Sequence, residues 1–164
     1  MLTAGNIREV LLQFDTRFRR IHDPIVQKYV AKLCLLEACG WIEERLDKFY
    51  LWFVKLSLKD RRNIDYVRSH VEKIYSFEYK EHVRKYLRLI IGLQGIEAFE
   101  SGVDPAIFEP MVASLLALKD SRNSLAHTHV PGALTVIDSP SVTIKRFDLI
   151  VRGLQHCRSV LRAL

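Results

Sequence analysis

The sequence predicts an all-α fold: an antiparallel bundle of five to six helices, with a short loop or small hairpin before the last. Three observations carry this prediction. Apolar residues recur at spacings of three and four along most of the chain, the connections are short and marked by Pro, Gly and Asp, and no buried parallel strands separate the helical stretches.

The first helix, roughly 4–20, rests on Ile7, Val10, Leu11, Phe14 and Phe18, which fall on one stripe. Asp23-Pro24 then supplies an N-cap followed by proline at the first helical position. From there Val26, Tyr29, Val30, Leu33, Leu36, Ile42, Leu46, Phe49 and Phe53 sustain a second, unusually long helix over roughly 24–57, and Gly40 is its expected point of bending. Asp60 or Asn63 caps a third helix carried by Ile64, Val67, Val71 and Ile74 and ending near Phe77. The fourth, about 80–98, rests on Val83, Leu87, Ile90 and Leu93, and Gly102-Val103-Asp104-Pro105 ends it. Met111, Val112, Leu115 and Leu118 make a fifth helix starting at Pro105 or Pro110. Between His127 and Lys145 the period fails: Leu134–Ile137 and Val142–Ile144 are short β-branched runs set off by Pro131, Gly132 and Pro140, as in a hairpin or an irregular loop. The last helix, about 146–163, carries Phe147, Ile150, Leu154, Cys157 and Leu161 on one face.

With 164 residues, 49% hydrophobic and 27% charged, the chain has the composition of one globular domain spanning 1–164. A length of this order buries enough surface to fold without a metal or disulfides. Cys34, Cys39 and Cys157 match neither a disulfide framework nor a zinc spacing, and read as core residues in a reducing compartment. Arg8 and Glu9 interrupt any signal peptide and no run reaches the length of a membrane span, so the expectation is a soluble, cytoplasmic protein. The net charge of +6 is compatible with a polyanionic partner and does not require one. Arg17/Arg19/Arg20, Lys59/Arg61/Arg62 and Arg84/Lys85/Arg88 with Tyr86 can track a phosphate backbone, although each also reads as a solvated face. Trp41, Phe49, Trp52 and Phe53, at helical spacing, read as core or dimer packing.

Glycine-rich phosphate loops, nucleophile elbows, paired-Cys sites and His-Glu-x-x-His are absent. What stands out is the end of the fifth helix, Arg122-Asn123-Ser124-Leu125-Ala126-His127, with His129 beyond it. An Arg followed five positions later by His is expected about 0.5 times by chance in such a composition, and Arg17 to His22 is a second instance. Placement at a helix end beside a turn-rich loop favours Arg122 and His127. The competing reading is an exposed Arg and a His capping the helix, where a cation meets the negative pole of the dipole.

On that motif, the long second helix and the closing amphipathic helix, the chain resembles the HEPN families of small helical proteins, in particular the stand-alone prokaryotic members of toxin and defence systems. The resemblance implies a metal-independent endoribonuclease that needs no cofactor and has Arg122, His127 and Asn123 as catalytic residues. His127 would take the proton of a ribose 2′-hydroxyl and Arg122 would hold the phosphate as charge grows on it, leaving a 2′,3′-cyclic phosphate and a 5′-hydroxyl. Ser124, His129, Lys145 and Arg146 are candidate RNA contacts. Five helical residues turn the direction by about 140°, so one chain presents a loose pair; the family's solution, a homodimer around the motif helices, is the implied assembly, and an antitoxin protein is a further implied partner. His129 stands where a branch controlled by nucleotidyl modification carries Tyr, a departure that leaves that control in doubt. Glu37, Glu43 and Glu44 can pair with motif arginines, but read as surface charges. The alternative is a non-catalytic dimeric module binding RNA or protein; a nucleotide-binding adaptor lacks any phosphate loop.

Overall fold

A computed structural model describes residues 4–71, 76–126 and 136–164. These residues form a bundle of six helices with no strand among them: α1 (Gly5–Arg20), α2 (Pro24–Ser57), α3 (Arg61–Val71), α4 (Arg84–Gly102), α5 (Pro105–Ala126) and α6 (Pro140–Ala163). Helix α6 packs most extensively on α5, and both lie against α2.

Local chemistry sets the helix starts. Asp23 accepts hydrogen bonds from the Ile25 and Val26 amides at 2.8 and 3.3 Å and caps α2 ahead of Pro24. Asp60 does the same for α3 through the Arg62 amide, and Asp104 for α5 through the Ala106 amide. Helix α2 runs unbroken through Gly40. Its inner face, from Ala31, Cys34 and Ala38 to Phe49, Tyr50 and Phe53, is the axis of the core. The three cysteines, Cys34 and Cys39 on α2 and Cys157 on α6, are buried as expected, and burial pushes each thiol up to about 12. At the margin of this core, Trp52 is covered by the Arg158 and Arg162 guanidiniums at 4.5 and 5.4 Å and Trp41 by Arg45 at 5.1 Å. Helices α5 and α6 approach closely at Gly153. A methyl placed on Gly153 would lie 2.4 Å from Met111 Cβ, so only glycine admits this approach.

Two expectations need correction. The fourth helix is not one rod. It is preceded by a π-helical turn, Tyr79–Val83, capped by Glu78, and it breaks at Gly92, whose φ of 72° and ψ of −175° are essentially open to glycine alone. Arg84 and Glu100 would stand about 24 Å apart on a straight helix, yet their side chains form a bidentate pair at 2.7 and 3.1 Å. The two limbs therefore fold back on each other at Gly92, and the Tyr79 hydroxyl donates to the same Glu100 carboxylate at 3.0 Å. Second, Val142–Ile144 is helix and not hairpin: Pro140 at the first position starts α6 six residues early, and burial of Thr143 and Ile144 overrides their strand preference. Leu134 and Thr135 lie outside the described residues. Helix α3 is described as far as Val71, and Phe77 is buried in the link before the π turn.

Candidate functional site

The last turns of α5 carry Asp120, Ser121, Arg122, Asn123 and Ser124 after a stretch in which Met111, Leu115 and Leu118 are buried in the core. Burial of Leu118 and Leu125 fixes the rotation of this helix and thereby the direction of the polar residues between them. Arg122 turns toward α2. Its Nη1 donates to Glu43 Oε1 in an ion pair, and its Nε and Nη2 donate to Asn123 Oδ1 at 3.3 and 3.2 Å. The guanidinium lies over the Phe77 ring, 5.1 Å from its centroid, and the side chain is 19% exposed. Cys39 is close by: the Arg122 charge works against the burial that raises its thiol, and Glu43 adds to it.

Two further contacts lock this end of α5 to α2. The Lys32 ammonium donates to the Leu125 carbonyl at 2.8 Å, which satisfies a last-turn oxygen and sets a cation at the helix's negative pole. The Cys39 thiol reaches the Leu118 carbonyl at 3.9 Å.

The other candidates divide. Ser124 is some 200° around the helix from Arg122 and lines a cavity of about 280 Å³ with Asp120, Ser121, Asp138 and Thr143. Arg146 borders the same region by pairing with Asp138. Lys145 is exposed, and neither it nor Arg146 starts a helix, since both lie in the second turn of α6. Arg122 and Asn123 thus form one group and Ser124 and Arg146 another. His127 and His129 lie outside the described residues. Arg17 and His22, the second instance of the spacing, are exposed near the end of α1.

No family model, curated protein or solved structure matches the chain. The site therefore stands on its own geometry. Among the described residues no three His, Cys, Asp or Glu side chains cluster as metal ligands, and no single helix is long and apolar enough to cross a membrane.

Sequence reasoning gave Glu43 no more than a possible pairing and gave Phe77 and Lys32 no part. Glu43 does carry a signal. Val26, Tyr29, Leu33, Leu36, Gly40 and Glu43 follow one another at spacings of three and four, which puts Glu43 at the end of a single stripe. The first four are large and exposed, Leu33 by 50%. This exposed apolar stripe leads to the carboxylate that holds Arg122.

Proposed function

We propose that the chain is a HEPN-like, metal-independent endoribonuclease that acts in a toxin–antitoxin or antiviral defence role, with Arg122 as the phosphate-binding cation. The observation that carries this reading is the clamp on Arg122: a carboxylate from α2 fixes one edge of the guanidinium, an aromatic ring fixes its plane, and Asn123 occupies the other edge. A guanidinium held this way meets a phosphate without losing further side-chain freedom. A phosphate oxygen would replace the Asn123 amide oxygen on Nε and Nη2, and the Asn123 side chain would then be able to donate to it. His127 is the general base of this reading, by its place in the sequence directly after α5. The α2 stripe supports a homodimer, and two such clamps line one cleft when the two-fold axis passes by the Glu43 end of the stripe.

One observation favours the rival module: the Arg122 charge is already balanced by Glu43. The two readings part on cleavage. Purified protein, Arg122→Ala and His127→Ala are incubated with total RNA in EDTA, and the fragment termini are characterised. Cyclic phosphate ends from the wild type alone support the nuclease; binding of RNA with no cleavage by any of the three supports the module.

A further inference from the structure

A second surface, outside the Arg122 clamp, has the chemistry of a nucleic-acid groove. Helix α3 and the first limb of α4 enclose an open cleft of about 620 Å³ whose walls are Tyr66 and His70 on one side and Lys85, Tyr86 and Arg88 on the other, with Leu93 at the fold-back. Three properties set it apart. Among the described residues no carboxylate lines it, whereas Asp120 and Asp138 line the cavity beside Ser124, and three glutamates, Glu81, Glu100 and Glu109, line the cleft beside Tyr79. Lys85 and Arg88 are exposed and make no ion pair among the described residues, in contrast to Arg84, next to Lys85 in the chain, which Glu100 neutralises. The aromatic wall is held in place: the Tyr86 hydroxyl donates to the His70 carbonyl at 3.1 Å, the His70 ring sits 4.3 Å from that of Tyr66, and Tyr66 nevertheless keeps 55% of its surface in water. Gly92 lines the cleft and has no neighbour within 4 Å of where a Cβ would stand, so the fold-back opens the groove.

We propose that this α3/α4 groove is a docking surface for single-stranded RNA, with Lys85 and Arg88 on successive phosphates and a base stacked on Tyr66. The choice of RNA rests on the function proposed above. Charge complementarity selects a polyanion, and an open tyrosine face beside paired cations selects unpaired bases, since a duplex hides its base faces. Leu93, 65% exposed, gives the apolar edge on which a sugar or a second base can rest.

The test uses the full chain and a fluorescein-labelled 2′-O-methyl oligoribonucleotide of about 10 nucleotides, which lacks the hydroxyl needed for self-cleavage and so reports binding alone. Fluorescence anisotropy is expected to show a Kd raised about tenfold by Tyr66→Ala and unchanged in Tyr66→Phe. For Lys85→Ala/Arg88→Ala it is expected to rise at least as much, with the slope of log K against log salt smaller by about 1.4, the value for two phosphates on a single strand. All of these residues are exposed or at the rim, and melting curves check that the variants fold. Unchanged Kd and slope in every variant overturn the proposal, as does tighter binding of a duplex of the same sequence. Loss of self-association in Leu93→Ser also overturns it, because a second copy then fills the groove. Failure of the two readings is separable: a protein that never cuts RNA but shows this binding pattern keeps the groove and loses the nuclease, and one that cuts while every groove variant binds as wild type does the reverse.

Discussion

Helices α2 and α4 each have a glycine in the interior, and they use it in opposite ways. Helix α2 passes through Gly40 without interruption, while α4 folds back at Gly92 so that Arg84 and Glu100, sixteen positions apart, clasp one another. Glycine lowers the barrier to bending in both; the contacts on either side decide the outcome. Around Gly40 the inner stripe continues through Ala38, Cys39 and Ile42, all buried, so a bend would strip the core. Around Gly92 the Tyr79–Glu100–Arg84 cluster closes the two limbs, and Leu87 and Ile96 are buried on opposite limbs.

Four measurements bear on this contrast. The largest effect is expected from Gly92→Ala, which forces a Cβ into a backbone region that costs about 1–3 kcal/mol; chemical denaturation reads the loss, and no loss would mean that the limbs open without cost. Glu100→Gln removes the clasp. It is expected to cost about 1 kcal/mol, discounted because both partners are roughly a third exposed. The pH dependence has a definite sign. The hydrogen bond from Arg84 holds the Glu100 carboxyl below its ordinary 4.5, so its stabilisation is complete above that value and fades as pH falls through the depressed one. Melting curves of Glu100→Gln are therefore expected to converge on wild type in acid. Gly40→Ala has the opposite sign: the site is open and helical, and alanine is expected to add about 0.5–1 kcal/mol. The smallest effect on the single chain, within about 0.5 kcal/mol, is expected from Leu33→Ser on the exposed stripe; sedimentation is where that variant should differ, by losing the dimer. A dimer that survives it would detach the α2 stripe from the proposed assembly.

The contrast also marks what was legible in the sequence. Helix type and order were legible because the apolar period is strong and because Asp23-Pro24, Asp60 and Asp104-Pro105 are caps with a local mechanism. The fold-back was not: Val83, Leu87, Ile90 and Leu93 keep a helical period on either side of Gly92, and the clasp that bends the helix joins distant positions. For the same reason Gly40 looked like the better candidate for a bend. The strand-like run Val142–Ile144 misled because propensity is local and the burial that overrules it is not. At the site, the polar helix end gave Arg122 and Asn123. Phe77 was hidden by the expectation that it closed a helix, and Lys32 by lying 93 positions from the carbonyl it meets.

Gly153 and Met111 share one volume across the α5/α6 crossing, so neither position can change size alone. Substitutions there should be coupled. Gly153→Ala and a shortening of Met111 are each expected to destabilise, the first by crowding and the second by leaving a void, while the pair together costs less than the sum. Among relatives of this chain, the same logic forecasts covariation: a larger residue at 153 should travel with a smaller one at 111, a correlation that can serve as a ruler for how closely the two helices approach.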